Sequence, residues 1–156
     1  MSASAQVRWL RAAALITVAT GLVAAAASSP SGERPWRLLL DLLAWPIDGE
    51  PDRFDPVTSA VNAVTGGVMV GWGTLMYLIA RGPFARGDTA LATPVLLSVL
   101  AWFVVDSTGS FAAGLPGNVV LNVGFLLLLA PPLHRMRRDR TRDGAPHRRA
   151  GGTVAA

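Results

Sequence analysis

The chain has 156 residues, of which 51% are hydrophobic, a figure close to that of an ordinary globular domain. Charge is more telling: Asp, Glu and Arg make up 15% of the chain, against roughly 25% in a typical soluble domain. The charges are also segregated, with none in 12–32 (21 residues), 56–80 (25), 89–105 (17) or 107–134 (28). This pattern excludes an ordinary soluble enzyme, a disordered chain and a nucleic-acid-binding domain. It predicts an all-α, polytopic membrane protein: a small bundle of four transmembrane helices.

Composition removes several chemistries. There is no cysteine, and all fourteen basic residues are arginine. Disulfides, thiol redox chemistry, iron–sulfur clusters and a Schiff-base lysine are therefore ruled out. His134 and His147 lie at or beyond the end of the last apolar run, which leaves no axial pair for a haem within the spans. No phosphate-binding loop, zinc-protease or nucleophile-elbow motif is present. The sequence thus predicts no enzyme activity, no cofactor and no metal.

A helix needs about 20 apolar residues to cross a hydrocarbon core. The first span is expected at 9–28, inside a region whose positive start, apolar stretch and small residues at Ala24–Ser28 also fit a cleavable signal peptide. Cleavage would leave three spans with the N-terminus outside; a retained first helix is the preferred reading. Next comes a proline-bounded stretch, PWRLLLDLLAWP, too short to span. With Trp36 and Trp45 near its ends, 35–45 is expected to form a short interfacial helix between spans one and two. The following loop carries Asp48, Glu50, Asp52 and Asp55. Its spacing does not match a calcium loop, so a solvated acidic loop is expected.

The second span is expected at 57–80, capped by Asp55 with Pro56 in the first turn. It contains Gly67 and Gly71 spaced as G-x-x-x-G, a pattern that lets a second helix approach closely. These two are the expected helix-packing residues, serving either this chain or a homodimer. The third span is expected at 90–107, with Asp88 as its cap, and the fourth at 113–133, ending at Pro131-Pro132. Trp72 and Trp102, deep in their spans, are expected to pack in the core. Residues 134–156 should form a basic, disordered tail.

Orientation follows from arginine. Eleven of the fourteen fall in the N-terminal flank, the second connection and the tail, and three in the first connection. The positive-inside rule then puts both termini in the cytoplasm of a plasma (inner) membrane.

Polar groups inside spans mark the candidate site. Asn62 lies ~8 Å below the outer surface, Asn118 and Asn122 lie ~8 and ~14 Å below it, and Asp106 sits near that boundary. All four share one half of the bilayer. They are expected to form a hydrogen-bonded cluster at the outer mouth of the bundle, either stapling helices or binding a ligand. The expected role is a non-catalytic accessory or assembly component, with the bilayer and another membrane protein or a second copy as partners and no nucleic acid. The alternative is a small transporter, channel or ligand-sensing subunit that uses the polar cluster.

Overall fold

In a computed structural model the described residues are 2–44, 47, 49 and 52–143, and they are all-helical. Five helices run in the order α1 (Ala3–Ala26), α2 (Glu33–Ala44), α3 (Pro56–Arg81), α4 (Ala92–Ala112) and α5 (Pro116–Asp143). All but α2 are long and apolar enough to cross a membrane. The acidic residues Asp48 and Glu50, Trp45 and the end of the tail from 144 onward lie outside the described residues.

Helix α1 packs along α3 and against α5, and α5 packs along α4. The backbones of α3 and α4 stay apart; these helices meet through Trp72 and Trp102, whose ring centroids are 5.5 Å apart. Phe125 of α5 stands edge-on to Trp102 at 6.3 Å. Helix α2 lies against α1 and the start of α5, where a side chain at Gly117 would overlap the Leu43 backbone. The apolar core, with Leu10, Ala13, Met76, Val99, Leu129 and Leu133 at its centre, occupies the opposite end.

Local sequence accounts for most boundaries. Helix α1 starts at Ala3, before the expected position, because the Ser2 hydroxyl accepts the Ala5 N–H at 3.3 Å as a cap. Asp55 caps α3, accepting from Val57 N at 2.7 Å, Thr58 N at 3.0 Å and the Thr58 hydroxyl at 2.6 Å. The hydroxyl bond of Thr58, followed by the two backbone donors, holds the Asp55 carboxyl below its ordinary range. A depressed folded-state pKa gives stability that is present above the unfolded value and lost as pH falls through the folded one. Acid titration followed by helical circular dichroism should therefore show an α3 fraying step that Asp55→Asn removes. Asp88 instead accepts the Ala90 N–H at 2.9 Å, closing a turn that precedes α4 rather than capping that helix.

The ends of α4 and α5 differ from expectation. Residues 108–112, left between the expected third and fourth spans, are helical, because α4 continues to Ala112. There, Gly114 at φ 75° lets Leu115 N–H reach Ser110 C=O at 2.9 Å and Gly114 N–H reach Phe111 C=O at 3.1 Å. This paired closure ends the helix on a left-handed residue, and Pro116 opens α5 immediately afterward.

Helix α5 does not stop at Pro131-Pro132 and runs on to Asp143, so the start of the expected disordered tail is helical. A proline lacks the N–H that would bond four residues back, so Pro132 leaves the Leu128 carbonyl without its helical donor. The indole N–H of Trp9 donates to that oxygen at 2.8 Å. The extension is then anchored by buried Met136, by Gln6 donating to Asp139 at 3.4 Å and by Arg140 donating to the Ala90 carbonyl at 3.1 Å. Trp9→Phe keeps an aromatic ring and removes the donor, an expected loss of about 1 kcal/mol in detergent denaturation. Adding Pro132→Ala should restore that loss, because an alanine at this position supplies its own N–H to the Leu128 carbonyl.

Candidate functional site

Polar side chains gather at the α2 end of the bundle, on two separate seams. The first seam lies between α4 and α5. Asp106 and Ser110 are one turn apart on α4, and Asn118 and Asn122 are one turn apart on α5. The short Ala113–Leu115 turn places these faces opposite each other. Asp106 Oδ1 accepts from the Ser110 hydroxyl at 3.0 Å and from Asn118 Nδ2 at 3.2 Å. Asn118 Nδ2 also donates to Ser110 Oγ at 2.7 Å, closing a three-membered ring of hydrogen bonds. One rung deeper, Asn122 Nδ2 donates to Ser107 Oγ at 3.3 Å. Ser110 and Asn122 are buried, whereas Asp106 and Asn118 are half-buried.

The second is a single side-chain bridge between α2 and α3, whose backbones stay apart as those of α3 and α4 do. Asn62 is buried, and its Oδ1 accepts the indole N–H of Trp36 at 3.1 Å. Its Nδ2 is buried with no hydrogen-bond partner among the described residues. Among the described residues, no hydrogen bond joins Asn62 to Asp106, Asn118 or Asn122. Equal depth puts the four candidates at the same end of the bundle, but α3 and α4 do not approach closely enough to bring Asn62 into the ring.

Two participants, Ser107 and Ser110, are not singled out by the sequence, and a third, Trp36, is expected in another role. The signal for the serines is the spacing D-S-x-x-S facing N-x-x-x-N across a Gly-Leu-Pro turn. Recognising it requires extending α4 past Asp106. Trp36 is expected at an interface, and its indole instead donates inward to α3.

The expected helix-packing pair, Gly67 and Gly71, is displaced from the seam. A side chain at either glycine would meet open space. The α1–α3 contact instead uses Gly66 and Gly73, seven residues apart, with Gly21 on α1. A Cβ on Gly73 would lie 3.0 Å from the Ala14 carbonyl oxygen and 2.8 Å from Val18 Cγ2. A one-residue shift turns a side chain by about 100° around a helix, which separates the face of Gly66 from that of Gly67 and Gly71.

Chemically, the α4–α5 seam is a polar staple containing one carboxylate. Its hydroxyls can pass a hydrogen bond between neighbours, since Ser110 both donates to Asp106 and accepts from Asn118. Among the described residues no group of three or more His, Cys, Asp or Glu is gathered as a metal site. No protein-family model, curated protein or solved structure matches the chain, so the site is read from its own geometry.

Proposed function

We propose that this chain is a small integral membrane protein with four spans and both ends in the cytoplasm, acting without catalysis as an accessory or assembly component. The observation that carries the reading is the contrast between inside and outside. Polar groups along the α4–α5 seam bond to one another, while large apolar side chains point outward from all four long helices. Leu22 is 57% exposed, Val68 67%, Val105 73% and Leu127 63%, values suited to lipid or a partner helix rather than to water.

Other observations support the details. Helix α1 contributes fully buried Leu10, Ala13 and Ala14 and half of the glycine seam, so losing it as a signal peptide would remove much of the core. Arg81, Arg86 and the arginines of α5 cluster at the end that carries the chain's N-terminus, as the positive-inside rule requires.

The test is purification of the full chain from its native membranes in mild detergent, after confirming that carbonate washing does not release it. A stoichiometric membrane-protein partner is expected. A monodisperse chain holding a small molecule would overturn the accessory role in favour of a transport or ligand-sensing subunit. That second reading is favoured by one observation, the buried Nδ2 of Asn62, which has no hydrogen-bond partner among the described residues.

A further inference from the structure

A cleft lined by three arginines lies at the α2 end. Arg34 and Arg37 lie nearly one turn apart on α2, and Arg53 arrives from the segment before α3. With Glu33, Leu38 and Gly49 they line a cleft of about 510 Å³. A second cleft of about 460 Å³ adjoins it and shares Glu33 and Arg53. Glu33 is buried, 7% exposed, beneath this cluster. One of its oxygens, Oε1, accepts from Arg37 Nη1 at 3.0 Å and lies 3.5 Å from Arg53 Nε.

One buried carboxylate thus meets two of the three guanidinium groups that line the cleft. Of the nearby described acids, Asp41 accepts the Gly49 N–H at 3.0 Å, Asp55 caps α3, and Asp52, next to Arg53 in the chain, is exposed. Arg37 carries a further sign of an incomplete site, because its Nε is buried with no hydrogen-bond partner among the described residues. Glu33 holds the guanidinium of Arg37 and lies close to that of Arg53, while Arg34 lines the same cleft. Planar, weakly hydrated guanidiniums in a fork arrangement match the oxygens of a tetrahedral phosphate.

Helix α2 adds an apolar strip. Leu38 stands four residues after Arg34 and lines the same cleft, and Leu42 follows after four more. They are 44% and 50% exposed. A ligand with a phosphate head and an apolar tail would engage the arginines and this strip together, whereas a free phosphate would use only the arginines.

We propose that Arg34, Arg37 and Arg53, organised by Glu33, form a binding site for a phosphate group, supplied by the headgroup of an anionic phospholipid. The lipid source rests on the membrane reading above; the phosphate chemistry does not. The test uses the full chain in phosphatidylcholine nanodiscs with increasing phosphatidylglycerol, counting retained lipid by native mass spectrometry. A parallel titration with inorganic phosphate in detergent reads thermal stabilisation. The variant is Arg34→Gln with Arg53→Gln, both on exposed residues, leaving the Glu33–Arg37 pair intact. Arg81→Gln with Arg86→Gln, at the opposite end, removes the same charge as a control.

The expected result is a preference for phosphatidylglycerol that falls about ten-fold or more in the α2-end variant, as loss of charge-assisted hydrogen bonds implies, and is unchanged in the control. Phosphate stabilisation that the α2-end variant abolishes, without any lipid preference, supports the phosphate site and overturns the lipid source. Equal losses in both variants, or no loss in either titration, overturn the proposal. The phosphate titration remains readable if the chain proves extractable by carbonate, so failure of the membrane reading and failure of the site are distinguishable.

Discussion

Replacing Gly66 or Gly73 with isoleucine is expected to open the α1–α3 seam and cost about 3 kcal/mol or more, the upper end of overpacking losses. The magnitude follows from what the new atoms would strike. A Cβ on Gly66 would overlap the Ala25 backbone nitrogen and the Gly21 carbonyl oxygen, and neither is a flexible side-chain end that can swing aside. Gly21 presents the same problem from the other helix, since its Cβ would meet the Gly66 carbonyl oxygen at 2.8 Å and the Val70 nitrogen at 2.9 Å. Relief requires the two helices to separate, which breaks the small-residue contact along the whole seam. Gly67→Ile and Gly71→Ile add the same bulk into open space and should leave the fold intact. Denaturation in detergent of all four variants checks this. Equal losses at Gly66 and Gly67 would sink the assignment of the seam. If Gly67→Ile and Gly71→Ile instead lower the yield of crosslinked dimer while the monomer stays folded, the outward glycine face serves self-association.

The glycines show where sequence reasoning runs out. Charge-free runs locate the four long helices, and the Asp55-Pro56 pair marks the start of α3. Such patterns report position along a helix axis. They do not report rotation about it, which decides between Gly66 and Gly67, and here the difference is a buried seam against an open face. The same gap affects the candidate site. Depth puts Asn62, Asp106, Asn118 and Asn122 at one end, but helix arrangement around the bundle gives Asn62 to Trp36 and the other three to α4 and α5. The end of α4 was legible in principle, because Gly114 and Pro116 carry the usual stop and start chemistry. The passage of α5 through Pro131-Pro132 was not, because the donor that replaces the missing N–H, Trp9, lies 119 residues away in the chain from the carbonyl it serves.

The second large effect is expected at the α4–α5 ring. Asp106→Ala removes the acceptor shared by Ser110 and Asn118, and Asn118→Ala removes the donor shared by Asp106 and Ser110. Each should destabilise the bundle by about 1–3 kcal/mol, the usual consequence of leaving a buried polar partner unsatisfied. Because the two residues act on one ring, the double variant should lose less than the sum, with a coupling of about 0.6–1.7 kcal/mol for helix-to-helix hydrogen bonds. Strict additivity would show that the ring is not a unit. Asp106→Asn separates geometry from charge, since the amide keeps an acceptor oxygen for both donors. If the ring is only a staple, this variant should match the wild type or exceed it, because an ion between apolar helices is itself unfavourable. A stable Asp106→Asn chain that no longer co-purifies with the membrane partner proposed above would mean that the negative charge, rather than the hydrogen bonds, is what such a partner reads.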